Sequence, residues 1–267
     1  MVSLIKLVEA YSDQVILLVG ALSTALLALA IAYAARRLWF AARLEALEEH
    51  NKLADVVHGS LLAFTVFVLA LVLSDVRSNL GRADDMVSRE GSYISRLDRD
   101  LGSIGDDAAG KARAQLKSYV QVVASDEWRT LSRKDARLSP EADRAIAALV
   151  AEVRAIAAAH PDIAGNLRTL MDKIEEHRQI RQEIATKTVP NVFWWIITMF
   201  LLGAMAMNGR HQLNLTTLSL ISIHMAAIGL VLALIVIMDE PFRGETSISP
   251  APLLKAISAT AATASPA

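Results

Sequence analysis

The sequence predicts an all-α membrane protein with four transmembrane helices and a helical hydrophilic insertion between the second and the third. The 267-residue chain is 54% hydrophobic, and its apolar residues are concentrated in four uncharged blocks. A helix needs about 20 apolar residues to cross a bilayer, and the blocks are of that order. The long stretch between the second and third blocks consists mostly of good helix formers and lacks strand alternation. The blocks are 15–35, 59–74, 190–208 and 213–238.

Composition argues against several function classes. A net charge of -1 gives no clustered basic face, so we expect no nucleic-acid partner. The absence of cysteine excludes thiolate metal sites and disulfides. The sequence contains no H-E-x-x-H, no phosphate-binding glycine loop and no nucleophile elbow, and its six histidines are scattered. We therefore expect no enzyme and no cofactor, and we assign no metal site.

The first part of the chain is predicted to be an amphipathic lead-in, 1–14, followed by a first transmembrane hairpin, 15–75. The first block is interpreted as a retained span, because no small-residue cleavage site follows a short apolar core. It carries small residues four apart, either a close-packing helix face or chance spacing in an alanine-rich span. These residues are Gly20, Thr24, Ala28 and Ala32.

The second block is short, but His58 and Asp75 can lie at the membrane interfaces and extend it. It ends without Gly or Pro, so its helix is predicted to continue past Asp75. Residues 76–189 are predicted to form a helical extramembrane domain of three or four helices. Ser139-Pro140-Glu141 is typical of a helix start, and that helix should stop before Pro161.

Residues 190–240 are predicted to form the second transmembrane hairpin. Pro190 opens its first helix, and the tight turn Asn208-Gly209-Arg210-His211 separates the two spans. The last span stops at Asp239-Glu240-Pro241, where proline blocks the helix. Residues 241–267 are predicted to be a Pro/Ser turn and a disordered tail.

The short loops give a preferred orientation. Five basic residues lie on one side, Arg36, Arg37, Arg43, Lys52 and Arg210, and three on the other, Lys6, Arg243 and Lys255. Because cytoplasmic loops carry an excess of Lys and Arg, we expect the first group in the cytoplasm and the insertion on the non-cytoplasmic side.

Four polar residues within the spans are candidates to line a path: His58, Thr65, Thr217 and His224. Thr217 and His224 are seven residues apart and share one helix face. Ionisable groups inside a membrane usually face a bundle interior or a wet cavity. His224 is therefore either a neutral histidine hydrogen-bonded to another span or part of an ion or proton path.

Charged residues at the ends of the second and fourth spans form a candidate pore mouth: Asp75, Arg77, Asp239, Glu240 and Arg243. Rings of such charge can set ion selectivity in an oligomer. The alternatives are a helix stop neutralised by Arg243 or Arg77, and an acidic metal clasp. A second group is predicted to form ion pairs between helices or subunits: Arg82, Glu90, Arg96 and Asp98. Trp128 is predicted to be a packing anchor.

Three stretches together resemble one family: 82–98, the approach from Arg178 to Trp194-Trp195, and 238–250. They are similar to the bestrophin-like domain family of bacterial and plant four-span membrane proteins. Its closing motif is matched here by Pro241, Phe242, Gly244, Ser249 and Pro250. At Gly91-Ser92 this sequence departs from the family's more usual alanine-asparagine pair.

The resemblance implies paired spans around a helical insertion and, for a bacterial member, a multi-pass protein of the inner (cell) membrane. The family name implies kinship with bestrophins, which are pentameric ion channels. We therefore expect an oligomeric ion channel or channel-like protein, with the lipid bilayer, further copies of the chain (five by analogy) and inorganic ions as partners. The alternative is a non-conducting scaffold or sensor that recruits a partner through its insertion.

Overall fold

The structure is a computed structural model that describes residues 12–40, 51–133 and 136–263, apart from the side chains of residues 39, 40, 51 and 259–263. Most of the predicted lead-in 1–14, part of the loop after the first span, and the last four residues of the predicted tail lie outside these ranges.

The described residues form nine α-helices in this order: α1 Asp13–Ala35, α2 Asn51–Ile104, α3 Asp107–Val122, α4 Trp128–Leu131, α5 Pro140–Ala159, α6 Pro161–Thr186, α7 Asn191–Met207, α8 Leu215–Met238 and α9 Ala251–Thr263. Two short π-helical turns, Arg36–Phe40 and Val123–Glu127, and a 3-10 turn, Asn208–Arg210, complete the order. The structure is 87% helical, with no strand in the described residues, which confirms the all-α fold class.

The chain divides into two compact units. The first, here called the membrane unit, comprises 1–78, 188–239 and 244–246, and the second, the hydrophilic unit, comprises 79–187, 240–243 and 247–267. Four helical segments are long and apolar enough to cross a membrane, and they contain the four predicted blocks. The four-span prediction is confirmed. The predicted continuation of the second span's helix past Asp75 is also confirmed, since α2 runs unbroken to Ile104.

In the membrane unit, α1 and α8 approach each other through glycine. A Cβ on Gly229 would lie 2.5 Å from the carbonyl oxygen of Gly20 and 2.7 Å from Oγ1 of Thr24. Ala28 and Ala32, on the same stripe, are completely buried. The small-residue face predicted for the first span is therefore a close-packing surface, because only small side chains let two helices approach so closely.

The turn between α7 and α8 also packs closely against α1. A Cβ on Gly209 would lie 2.6 Å from the carbonyl oxygen of Ala32. The largest cluster of buried apolar residues in the membrane unit consists of aliphatic side chains and methionine. Its most buried members include Leu69, Val72, Ile197, Met205, Met225 and Ile235.

The hydrophilic unit contains the second part of α2 with α3, α5 and α6. Ser139 caps α5, accepting hydrogen bonds from the N–H groups of Glu141 and Ala142, and α5 ends at Ala159, before Pro161. The predicted start and stop of this helix are therefore confirmed. Its core is a single apolar cluster that includes Ile94, Leu97, Leu116, Tyr119, Leu149 and Ile174.

The prediction of a disordered tail is wrong for the residues that the structure describes. Residues 251–263 form α9, whose Leu253 is completely buried in the core of the hydrophilic unit together with Ala256. The apolar spacing of these two side chains gives α9 a face to bury. A Cβ on Gly91 would lie 2.8 Å from the carbonyl oxygen of Pro252, so glycine at this position permits the approach of α9.

Candidate functional site

The membrane unit contains an open pocket of about 340 Å³, here called the histidine cavity, whose lining combines polar and apolar side chains. It lies between the beginning of α2, the turn after α7 and the first part of α8. Its polar lining consists of His58, Asn208, His211, Thr217 and His224. Leu62, Leu220, Ile221 and Met225 form the apolar remainder.

The local structure explains this lining. The side chain of Asn214 caps α8 by accepting a hydrogen bond from the N–H of Thr217 at 2.9 Å, which fixes where the helix begins. Thr217 and His224 then follow on one face, and His224 is exposed on the surface of the described chain. Thr65 does not join them. It is completely buried, and its hydroxyl donates to the carbonyl oxygen of Leu61 at 2.7 Å.

The structure thus brings together three of the four candidate path residues, His58, Thr217 and His224, and adds Asn208 and His211. Sequence reasoning treated these last two residues only as parts of a turn. The available signal was their position: a polar turn between two spans lies at the membrane depth where His58 begins the second span.

Arginines adjoin the cavity. Arg210 pairs with Asp55 at 2.5 Å, and its Nε donates to Nε2 of His211 at 3.2 Å. Nη1 of Arg36 donates to the carbonyl oxygen of His211 at 2.5 Å. Because Nε2 of His211 accepts a hydrogen bond, neutral His211 carries its proton on Nδ1. Partial burial and the nearby Arg210 guanidinium lower the pKa of His211, so its neutral form is favoured.

Polar atoms at the cavity lack partners among the described residues. Nε2 of His58 and Nδ2 of Asn208 are buried without a hydrogen bond, as is Nη1 of the neighbouring Arg210. Asn208 is only 5% exposed. Buried polar groups are nearly always hydrogen-bonded in folded proteins, so unsatisfied groups clustered at one cavity indicate a place for a bound species.

The charged residues at the span ends make local contacts or lie on the surface. A carboxylate oxygen of Asp239 accepts a hydrogen bond from the N–H of Val189 at 2.9 Å. Glu240 pairs with Arg243 at 2.7 Å, whereas Asp75 and Arg77 are exposed. These contacts match the helix-stop alternative, and a pore-mouth role for this group stays a prediction.

The family motif after α8 forms a turn packed on Trp128. The rings of Phe242 and Trp128 meet edge to face with centroids 5.4 Å apart, and Nε1 of Trp128 donates to the carbonyl oxygen of Ile248 at 2.8 Å. The N–H of Ile248 in turn donates to the carbonyl oxygen of Pro241 at 2.8 Å. Trp128 is therefore a packing anchor, as predicted.

Gly244 and Ser249-Pro250 complete the motif by shaping the chain. Gly244 has a φ of +74°, a left-handed conformation that glycine adopts without strain. The hydroxyl oxygen of Ser249 accepts a hydrogen bond from the N–H of Ala251 at 3.2 Å, at the beginning of α9. The motif thus follows the end of the last span, contains a turn at Gly244 and leads into the final helix.

A buried charge network lies in the hydrophilic unit, formed by Glu90, Glu127, Arg178 and Arg181. Arg181 is 1% exposed, and its two terminal nitrogens bind Glu90 and Glu127, the latter at 2.6 Å. Arg178 also binds Glu127, at 2.5 Å, and reaches Asp143 at 2.7 Å. Two buried carboxylates thus face two buried guanidiniums, and their charges balance.

Aromatic side chains complete this network. The guanidinium of Arg181 lies over the ring of Trp128 at 5.4 Å, a cation–π contact. The hydroxyl of Tyr119 approaches Glu90 at 3.5 Å, and burial raises the pKa of this phenol, which keeps it protonated as a donor. The contacts of Trp128 therefore join the motif turn to the buried charges.

Of the residues expected to form ion pairs, Glu90 pairs with Arg181, and Asp98 pairs with Arg113 at 2.9 Å. Arg82 and Arg96 are exposed. Glu127, Arg178 and Arg181 were missing from the predicted site. The signal for the arginines was the apolar stripe of α6, where Ile174 and Ile184 flank charged residues at core-facing positions.

Two of three comparisons relate the chain to known proteins. A family model described as bestrophin-like domain matches residues 22–253. The fold is similar to that of a membrane protein solved by crystallography, with a TM-score of 0.60 and 14% sequence identity over 89% of this chain and 95% of that one. No curated protein matches the sequence.

Proposed function

We propose that this chain, which belongs to the bestrophin-like domain family, assembles into an oligomer in the cell membrane and lines an ion path with α2 and α8. The chain is a membrane protein, and its family and fold are compatible with this role. The proposal rests on the histidine cavity and not on the charged residues at the span ends.

The observation that carries the proposal is the exposure of His224. This ionisable side chain lies well inside the apolar helix α8, yet it is exposed on the described surface. An imidazole facing lipid would lose its hydrogen bonds to water, so such groups face a protein interior or a wet cavity. A further copy of the chain would enclose His224, and the adjoining Thr217 and His58 would keep that enclosed space polar.

Flux measurements test conduction. Purified protein in liposomes should pass ions, and His224→Leu should reduce the flux strongly. Ser219→Ala is the matched control, because Ser219 is also exposed on α8 but its hydroxyl is bound to the carbonyl oxygen of Leu215. Light scattering of the detergent complex should give a mass of several chains. A monomeric mass, or no flux over a range of salts and pH, would reject the ion path.

The proposal places the protein in the inner (cell) membrane of a bacterium, with the hydrophilic insertion on the non-cytoplasmic side. The excess of basic residues in the loops next to Arg36 and Arg210 supports this orientation. Ser125 is exposed in the insertion and the chain has no native cysteine. Ser125→Cys should therefore react with an impermeant thiol reagent in intact cells, and protection would reverse the orientation.

One observation favours the alternative, a non-conducting scaffold or sensor. Phe64, Phe67 and Leu71 on α2 are each more than half exposed and would fill the centre of an oligomer with apolar side chains. In that arrangement no wet path forms, and the insertion acts by binding a partner. A structure of the oligomer separates the two, because a channel needs a continuous wettable axis.

A further inference from the structure

We propose that the histidine cavity binds a compact anion, either a free inorganic anion or the phosphate of a lipid headgroup. This inference deepens the proposed function. Movement of the bound anion through the protein rests on the ion path proposed above. The binding itself requires no conduction and is measured separately.

The first argument is the chemistry of the free polar atoms. Nδ2 of Asn208 can only donate, it has no partner among the described residues, and its residue is 95% buried at the wall of the cavity. Nε2 of His58, also without a partner, donates whenever it carries a proton. A ligand that accepts hydrogen bonds from both would satisfy groups that the described chain leaves unsatisfied.

The second argument is charge. Among the described residues, the lining contains no carboxylate. The neighbouring Asp55 is already paired with Arg210, whose other terminal nitrogen is buried without a partner among the described residues. Arg36 contributes a second cation at the carbonyl of His211. The charges of the described residues next to the cavity are therefore mainly positive, which favours anions over cations.

A metal ion is the obvious alternative for three histidines at one cavity. Within the described ranges, no three His, Asp or Glu side chains are placed to hold a metal ion. Moreover, Nε2 of His211 already accepts a hydrogen bond from Arg210. The volume of about 340 Å³ suits an anion with its water, or a phosphate headgroup, since a water occupies about 30 Å³.

Binding should strengthen as the pH falls, because each histidine that gains a proton adds positive charge and a donor. Among the described residues, the titratable and charged groups around the cavity are Asp55 and His58 from α2, Arg36 after α1, Arg210 and His211 from the turn, and His224 from α8.

The test uses the full chain in a maltoside detergent, with bromide as the probe and the broadening of the bromide NMR line as the measure of binding. Wild type should bind bromide saturably and more tightly at about pH 5.5 than at about pH 8. Asn208→Leu and His58→Leu should each weaken binding about tenfold or more, since each removes a donor. Thr198→Val is the matched control, a polar residue of α7 outside the cavity whose hydroxyl is bound to Trp194, and it should bind bromide as wild type does.

A further variant keeps the proposal testable if the leucine variants fail to fold. His58→Gln keeps a hydrogen-bond donor but cannot gain a proton. It should bind bromide like wild type at about pH 8 and should show a smaller increase in affinity at about pH 5.5.

Phosphorus analysis of the purified protein distinguishes the two sources. If the ligand is a headgroup, wild type retains phospholipid that Asn208→Leu loses, and added phosphatidylglycerol displaces bromide. If the ligand is a free anion, no lipid is retained and bromide stays bound.

The anion site is refuted if neither bromide nor phospholipid binds, or if both leucine variants bind bromide as wild type does. Bromide binding without flux in liposomes supports the site and rejects the ion path. If the protein passes ions but Asn208→Leu binds bromide as wild type does, the ion path is supported and the anion site is rejected.

Discussion

The two units of this protein differ in how their polar side chains are paired. In the hydrophilic unit, Glu90 and Arg181 are almost completely buried, yet each is paired. In the membrane unit, Asn208 is also buried, but its Nδ2 has no partner among the described residues, and His224 is exposed. The paired charges complete one core, whereas Asn208 and His224 line a cavity. The comparison shows that burial alone does not identify a functional polar residue, because the terminal nitrogens of Arg181 form ion pairs within a core, whereas Nδ2 of Asn208 has no partner among the described residues and lies at a cavity.

The largest effect is expected from removing one member of the buried charge network. Arg181→Leu leaves the carboxylates of Glu90 and Glu127 buried with too few partners, which should cost about 3–5 kcal/mol of unfolding free energy. The thermal midpoint in detergent should fall by roughly 10 °C. Arg129→Leu is the control, because its ion pair with Asp126 is exposed and worth about 0–1 kcal/mol. Equal midpoints for both variants would show that the network is not a structural element.

Disrupting the close contact of α1 and α8 tests how much this contact stabilises the membrane unit. Gly229→Ala places a Cβ 2.5 Å from the backbone oxygen of Gly20, and backbone cannot move aside without separating the helices. We expect a loss of about 1–3 kcal/mol, measured as a lower thermal midpoint. Gly59→Ala, where no atom lies within 4 Å of the added Cβ, should leave the midpoint unchanged or slightly raised. A tolerated Gly229→Ala would mean that the two helices pack more loosely.

Asn208→Leu sharpens the contrast between the units most directly. Its Nδ2 makes no hydrogen bond with the described chain, so removing the amide should change the unfolding free energy by less than about 1 kcal/mol when no anion is present. Thermal unfolding in an anion-poor buffer measures this. A loss as large as that of Arg181→Leu would contradict the comparison, because it would mean that the amide is satisfied by the protein.

The smallest expected effect is the pH dependence of stability that arises from two carboxylates of the hydrophilic unit. Hydrogen bonds from the side chains of Ser139 and Arg129 lower the pKa of Asp126. Hydrogen bonds from the backbone N–H of Ala109 and from the side chain of His160 lower the pKa of Asp106. A carboxyl group whose pKa is lower in the folded state than in the unfolded state stabilises the folded state at pH values above about 4. This contribution is lost as the pH falls through the lowered pKa of the folded state.

The double variant Asp106→Asn/Asp126→Asn isolates this contribution. Its thermal midpoint should lie slightly below that of wild type at about pH 6, and the gap should shrink at about pH 3. A gap that stays constant over this range would show that the two carboxylates titrate alike in both states.

The fold was predictable because its signals are local. A block of apolar residues is visible along the chain without knowing what it contacts, and the stop at Asp239 and Pro241 follows from helix chemistry. The helix start at Ser139-Pro140 has the same local origin. These elements formed where the sequence predicted them.

The charge network could not be derived in the same way. Arg181 meets Glu90 across 91 positions of sequence, and such a pairing is decided by helix packing, which a single sequence does not specify. The partial signal was periodicity. Glu90 follows Ala83 and Val87 on the buried face of α2, and a charge at such a position requires a partner. The residues in the tail misled the prediction because alanine, serine and threonine resemble a linker, whereas Leu253 anchors a helix.

The burial of Leu253 has a consequence for how the protein is made. Phe242, Ile248 and Leu253 follow the last span, but they belong to the same core as α2 and α3 of the hydrophilic unit. Domains usually fold as the ribosome releases them, from the N-terminus onward. Here the insertion emerges well before the residues that close its core. The core of the insertion is therefore completed only after translation has passed residue 253, which follows the fourth span.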